Sequence, residues 1–278
     1  RGQHKRLTPP TATSCRGLMP LWKAFGAGTA KESRVKHPFK GEVRMVVACL
    51  DYKGTDGELG CTVDGERLVK VARKDGKVRD IVKLYDDGST QLFPSVDGLT
   101  EAIQAVGGRC KPEDYFVLVY SGHGTEVEDE DGDEESGIDQ ALCLRTQEGE
   151  DETMLDDVLA ETICGALDPS VRVLMIADCC HSGTILDAGS PCWAGRRVVG
   201  ISGCQDRQCS QDTGDGGAMT LALLSVLGRR DVRKGRLTRK CSVQMVFNRM
   251  VEEMPDDEDD EYDEEDDEYD EEDDEYDE

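Results

Sequence analysis

The chain of 278 residues is long enough for one large domain or two small ones, and its hydrophobic content of 37% is low beside a charged fraction of 33%. Its net charge of −27 is uneven: residues 256–278 hold 20 of the 60 acidic residues and no basic ones, and without them the charge is −7, ordinary for a soluble enzyme. No apolar run is long enough to span a bilayer, and the twelve cysteines include no C-x-x-C pair, which argues against both a membrane protein and a structural zinc site.

Residues 1–42 carry nine Lys/Arg against Glu32 and Glu42 and are interrupted by prolines. They read as a disordered leader, with a targeting peptide or removable pro-segment as the alternative. Trp22 and Phe25 offer weak docking points for that leader. Arg44 to Leu50 reads as the first strand, and Asp51 to Gly60 as a Gly/Asp-rich loop. Asp64 to Lys74 has helical spacing, with Leu68, Val69 and Ala72 on one face. Asp80 to Tyr85 is a second strand, Ser95 to Val106 a helix capped by Ser95 or Asp97, and Asp114 to Tyr120 a third strand. Glu126 to Glu135 reads as an acidic surface loop. Ile138 to Leu144 alternates loosely, as a strand or hairpin arm does.

Asp156 to Leu167 is expected to be a helix, stopped by Asp168-Pro169. Val171 to Ala177 and Arg197 to Ser202 are two further central strands. Gly203 to Gly217 is a polar loop, Ala218 to Leu227 an apolar helix ended by Gly228, Arg229 to Lys240 a basic connector and Ser242 to Met254 a last helix. Alternating strands and helices predict an α/β fold, a mostly parallel central sheet with helices on both faces. The tail repeats Tyr262, Tyr269 and Tyr276 every seven residues among carboxylates, which repel and keep it open rather than forming a coiled coil.

Two strands run straight into reactive residues. One ends in Asp178, Cys179, Cys180, His181, Ser182 and Gly183, and the other in Ser121, Gly122, His123 and Gly124. In open α/β sheets the ligand site lies at the carboxyl ends of strands. Adjacent strands would bring His123 opposite a cysteine, as a Cys/His hydrolase requires. Cys179 and Cys180 point to opposite faces, so only one can meet His123; spacing alone leaves the choice open. His181 is a rival base, although a neighbour of the nucleophile in extended backbone points away from it. Backbone N–H groups of the His123 loop or near Cys180 are candidate oxyanion donors. Cysteines in apolar runs, such as Cys49 and Cys143, fit a reducing compartment, cytoplasmic or nuclear, better than a disulfide framework.

Tyr-Ser-Gly-His-Gly at 120–124, Asp-Cys-Cys-His-Ser-Gly at 178–183 and Ile-Ser-Gly-Cys-Gln-Asp at 201–206 together resemble the signature blocks of metacaspases, and Gly60-Cys61 with Asp64 resembles a further block. The resemblance covers about residues 44–253, without a long inserted linker. It implies a caspase-like three-layer sandwich at 43–254, large-subunit-like to about residue 190 and small-subunit-like from 191, between the leader and an acidic disordered tail at 255–278. It implies peptide hydrolysis after Arg or Lys, with Cys180 as nucleophile and His123 as general base. Cys61, Ser121 and Asp178 would line the pocket for the basic side chain, where a carboxylate pairs with guanidinium or ammonium.

The resemblance also implies activation by calcium, without an organic cofactor, at Asp139, Asp156, Asp157 and Asp187. Asp156 and Asp157 equally suit an acidic helix start favoured by the macrodipole. The stretch Asp129 to Glu135 is not an EF-hand loop, because Glu134 stands where the spacing requires glycine. The expected partners are protein or peptide substrates bearing Arg or Lys, not nucleic acid or membrane, and the resemblance leans towards a monomer. Basic residues in the leader and the connector are candidate self-cleavage sites. Two rival classes are a catalytically silent caspase-fold binding module and an acidic-tail protein that binds basic partners.

Overall fold

The computed structural model of the chain describes residues 41–74, 76–129, 132, 137–205, 216–228 and 243–253. The leader with Trp22 and Phe25, most of the acidic stretch 130–136, the connector 229–240 and the acidic tail lie outside the described residues. A central parallel sheet has the order β2-β1-β3-β7-β8. Its strands are β1 (Val43–Cys49), β2 (Val78–Tyr85), β3 (Tyr115–Ser121), β7 (Arg172–Asp178) and β8 (Arg197–Ser202). The intervening helices are α1 (Cys61–Ala72), α2 (Val96–Gly107), α3 (Asp156–Ala166) and α4 (Ala218–Gly228), followed by α5 (Val243–Val251).

The inner strands β1, β3 and β7 are largely apolar on both faces because both faces are covered. Val46, Ala48, Phe116, Leu118, Val173 and Met175 pack with Leu99, Ile103 and Val106 of α2 and Leu159 and Ile163 of α3. The alternate residues Met45, Val47, Val117, Val119 and Ile176 pack with Leu68 and Val69 of α1, Met219, Leu223 and Val226 of α4 and Met250 of α5. A period of two along each strand thus feeds two separate cores, which makes the three-layer α/β sandwich. α2 begins at Ser95, whose side chain accepts from the Gly98 N–H at 3.0 Å.

A second sheet departs from the sequence reading. Gly124–Glu128 forms β4, so the first part of the expected acidic loop is a strand. It pairs antiparallel with β5 (Ile138–Arg145), which pairs with β6 (Asp151–Leu155). The acidic residues hid β4 because only its pairing with β5, not its own composition, makes it extended; β6, Asp-Glu-Thr-Met-Leu, was equally invisible. The hairpin carries Leu142, Leu144 and Met154 into the α2/α3 core.

The strands start from a buried ion pair. Asp114 accepts from Arg44 Nη1 at 2.5 Å, from Glu42 N–H at 2.8 Å and from Lys111 N–H at 2.8 Å, tying the entries of β1 and β3 together. Truncation of Ile103, which is wholly buried, to alanine is expected to lower unfolding free energy by about 2–5 kcal/mol. Truncation of Val158, 46% exposed on α3, should change it by less than about 0.5 kcal/mol. Chemical denaturation of both variants beside the wild type measures the contrast.

Candidate active site

Parallel pairing in register sets three strand ends side by side: Cys49 opposite Ser121, and Ser121 opposite Asp178. His123 therefore leaves the sheet two residues beyond β3, and Cys180 two residues beyond β7, on neighbouring strands. The Gly122 N–H donates to the Asp178 carbonyl at 3.3 Å, which continues the ladder past the last paired residues. Gly124 then passes so close to the Cys179-Cys180 segment that a Cβ there would stand 2.1 Å from the Cys180 carbonyl oxygen and 3.3 Å from Cys179 Sγ.

The two adjacent cysteines differ sharply. Cys179 is 1% exposed within the α2/α3 core, and burial, followed by the neighbouring Cys204, Asp178 and Cys180, pushes its thiol well above the usual range. Cys180 is half-buried. His181 adopts a left-handed backbone (φ 50°), and its Nδ1 lies 3.5 Å from Glu126 Oε1 on β4.

His123 is held through both its ring and its backbone. A ring nitrogen, Nε2, lies 2.7 Å from the Gly57 carbonyl oxygen. A carbonyl can only accept, so Nε2 is the donor of that bond. The Tyr52 ring sits at 4.5 Å, tilted 45°. The His123 N–H donates to Tyr52 Oη at 2.9 Å, and Tyr120 Oη donates to the His123 carbonyl at 2.7 Å. Tyr52 Oη in turn donates to the Cys143 carbonyl on β5 at 2.7 Å. Burial raises the Tyr52 phenol far above its ordinary pKa, so it remains a neutral donor.

Tyr52 is itself fixed. The Asp86 carboxylate accepts from the N–H groups of Asp51 and Tyr52, each at 2.8 Å, and Asp51 accepts from the N–H and hydroxyl of Thr62, each at 2.8 Å, at the start of α1. Tyr52, Gly57 and Asp86 were missed in the sequence because their roles depend on residues 34 to 71 positions away. The left-handed backbone of Tyr52 (φ 49°) marks the strained turn but leaves no trace in composition. The N–H groups of Gly122 and His123 are engaged by Asp178 and Tyr52, so the expected oxyanion donors are not these two.

Beside these strand ends lie two buried carboxylates. Cys61 opens α1 and is buried, and Asp64, one turn on, is fully buried. Asp178 is 4% exposed. The two carboxylates approach the same backbone from opposite sides. Asp64 Oδ2 accepts from Gly217 N–H at 2.7 Å, Asp178 Oδ2 accepts from Thr220 N–H at 2.8 Å, and a Cβ on Gly217 would stand 2.2 Å from Asp178 Oδ2. The amino end of α4 thus faces both charges. Ser121 lies in register with Asp178, and its buried hydroxyl has no hydrogen-bond partner. Asp64 is a buried carboxylate the sequence reading left without a role; its place in the Gly60-Cys61 block was the available clue.

Of the four expected calcium ligands, three converge. Asp139 on β5 and Asp156 and Asp157 at the start of α3 offer carboxylate oxygens within 4.8 Å of one another. Asp139 Oδ1 and Asp156 Oδ2 are buried without a hydrogen-bond partner. Asp187 stands outside this trio, in a turn with φ 36°. That turn belongs to the segment following Cys180, which is linked to the hairpin through a hydrogen bond between Thr184 Oγ1 and Gln140 Oε1. Burial, then the charges of Asp157 and Asp139, pushes Asp156 up to about 7. Such a set, with buried oxygens lacking partners, fits a hard cation that takes oxygen ligands.

Two outcomes are expected. Gly124→Ala should destabilise the chain by about 1–3 kcal/mol in urea titration, because its methyl can be seated only by parting the His123 and Cys180 segments. In excess chelator, Asp156 binds its proton more tightly folded than unfolded, where its pKa is about 3.9. Its contribution to native stability therefore falls as pH rises from about 4 to about 7 and is level above. Asp156→Asn should lack that part of the slope in denaturation curves recorded across the same range.

The model of the metacaspase peptidase C14 domain matches residues 44–189. Metacaspase-2 of Arabidopsis thaliana is 29% identical over 224 residues, 69% of this chain and 53% of that one. Metacaspase-1A of Neurospora crassa is 33% identical over 154 residues, 53% of this chain and 33% of that one. The chain thus spans about half the length of the former relative and a third of the latter. A solved structure, that of protein GSU0716 from Geobacter sulfurreducens, superposes with a TM-score of 0.57 at 26% identity, covering 78% of this chain and 90% of that one. With more than half its length matched by the family model and the His and Cys blocks brought to neighbouring strand ends, the chain belongs to the metacaspases, cysteine peptidases of caspase-like fold.

Proposed function

We propose that the chain is a cysteine endopeptidase that cleaves after Arg or Lys, using Cys180 and His123. The observation that carries this reading is the meeting of three features at the carboxyl ends of β1, β3 and β7: an oriented imidazole, a half-buried thiol and a pair of buried carboxylates. Cys180 Sγ gives its proton to His123 and attacks the scissile carbonyl carbon. The imidazolium returns the proton to the departing amine, leaving a thioester on Cys180. His123 then draws a proton from water as the water attacks the thioester, which frees the acid product. Cys179 is too deeply buried to take this role, and its raised pKa keeps it a thiol.

Specificity rests on Asp178 and Asp64. Two carboxylates within reach of one backbone position favour a guanidinium or ammonium and repel an acidic side chain. The Ser121 hydroxyl supplies an acceptor beside them, and Cys61 closes the wall as the family resemblance implies. Protein or peptide substrates with basic residues follow from this charge, and the monomer implied by the resemblance is retained.

Calcium fits the trio Asp139, Asp156 and Asp157, with Asp187 as the fourth residue the resemblance assigns. Bound there, the cation would neutralise three crowded carboxylates next to the segment that follows Cys180. The chain's own part is to hold these oxygens ready between β5 and α3.

The test is a fluorogenic peptide set ending in Arg, Lys or Asp, assayed with and without millimolar-scale calcium. Wild type is run beside Cys180→Ala, Cys179→Ala and Asp178→Asn. Cleavage after Arg and Lys should require calcium and vanish in Cys180→Ala. Asp178→Asn should lower kcat/KM for these peptides about 10²-fold. Cleavage after Asp would overturn the pocket assignment, activity unchanged in excess chelator would remove the cation, and no cleavage of any peptide would favour the silent binding module.

A further inference from the structure

Two thiols outside the active site lie against each other. Cys164 is in the third turn of α3, and Cys192 is in the 3-10 turn Pro191–Trp193 that precedes β8. Their sulfurs are 2.9 Å apart, and Cys164 Sγ also lies 3.3 Å from the Cys192 carbonyl oxygen. A disulfide requires about 2.05 Å, so covalent closure needs an approach of less than about 1 Å. We propose that Cys164 and Cys192 are a reversible dithiol–disulfide site that reacts with low-molecular-weight disulfides and latches the segment following Cys180 onto α3.

Both sulfurs sit on anchored backbone. Cys164 follows Leu159, Ala160 and Ile163, all fully buried beneath the sheet. The 3-10 turn is held by Trp193, whose indole is buried and donates to the Leu186 carbonyl at 3.2 Å, and by Ser190 Oγ, which accepts from the Cys192 N–H at 3.4 Å. Arg196 bridges the two elements, donating to the carbonyls of Cys164 at 2.8 Å and Leu167 at 3.0 Å. The sulfurs are therefore neighbours by construction of the fold, and no backbone need unfold to join them.

Exposure sets the order of events. Cys192 is half-buried, whereas Cys164 is 9% exposed, so a small oxidant meets Cys192 first. The Cys192 thiolate attacks one sulfur of the small disulfide, forming a mixed disulfide and expelling one thiolate, which takes up the proton Cys192 lost. Cys164 then loses its proton to solvent and attacks Cys192 Sγ. The internal S–S bond forms, the mixed bond breaks and a second thiol leaves. Two protein thiols are oxidised and one external disulfide is reduced to two thiols. Burial, together with the hydrogen bond to the Cys192 thiol, pushes Cys164 up to about 12. That second contribution disappears once Cys192 has reacted, and the Arg196 guanidinium favours the thiolate that must then form.

The latch has a structural consequence. Between Cys180 and Cys192 lie Thr184, hydrogen-bonded to β5, and Asp187; α3 begins with Asp156 and Asp157. A covalent link across this span ties the nucleophile segment to the helix that carries two of the clustered carboxylates. It does not depend on the peptidase reading, because it uses neither Cys180 nor His123.

The full chain is equilibrated in glutathione buffers from fully reduced to fully oxidised, quenched in acid, alkylated and peptide-mapped. Cys164 and Cys192 should lose alkylation together, yield one cross-linked peptide pair and recover both thiols with dithiothreitol. The melting temperature should rise by about 5–10 °C on oxidation. Cys192→Ser and Cys192→Ala, changes at a half-buried position, should lose both the cross-link and the rise, while Cys180→Ala should keep them. A lasting glutathione adduct on Cys192 with Cys164 still alkylated would overturn the proposal. So would a cross-link of either cysteine to a third one, or full alkylation of both in wholly oxidised glutathione.

Discussion

The parallel pairing of β3 with β7 is the constraint on which the rest of the site depends. Tyr120 lies opposite Ala177 and Ser121 opposite Asp178, so the chain emerges from two adjacent strands at the same level. A slip of one residue would turn the whole of β7 over, sending Asp178 and Cys180 to the opposite faces. Register is protected by burial on both sides of the sheet, since β1, β3 and β7 each feed one set of residues to α2 and α3 and the alternate set to α1 and α4. The close passage of Gly124 over the Cys180 carbonyl is the same constraint seen beyond the strand ends.

Negative charge is handled in two different ways. Asp64 and Asp178 are buried but opposed by amides at the amino end of α4, so each carboxylate has a protein donor. In the trio of Asp139, Asp156 and Asp157, the buried Asp139 Oδ1 and Asp156 Oδ2 have no hydrogen-bond donor, and burial with the neighbouring charges pushes Asp156 up to about 7. Both lie next to the segment that begins at Cys180, one through α4 and the other through Thr184 and β5.

That same segment bears on α3 through Cys192, Trp193 and Arg196. The carboxyl end of α3 therefore meets the segment that follows Cys180 through a thiol and two carbonyls. Rigid secondary structure carries such links better than loops do, because its backbone groups are already satisfied and cannot rearrange cheaply.

The sequence by itself determined the five parallel strands, the flanking helices and the two strand-end blocks with His123 and Cys180. These are local matters: apolar runs of β-branched residues, helical spacing, and a break from apolar to reactive residues at a strand end. Helix α2 and its Ser95 cap were legible for the same reason. Tertiary structure decided the remainder. In the small sheet β5 was legible as a strand or hairpin arm, but β4 and β6 were hidden because these edge strands are acidic and become extended only by pairing. That Cys179 rather than Cys180 is buried in the α2/α3 core was likewise settled by packing. Tyr52, Gly57 and Asp86 orient His123 through hydrogen bonds across long stretches of chain, and Asp64 meets Asp178 only through the end of α4. Spacing along a chain carries information about neighbours on one element. Which elements then face each other is settled by packing, and that is where these residues acquired their roles.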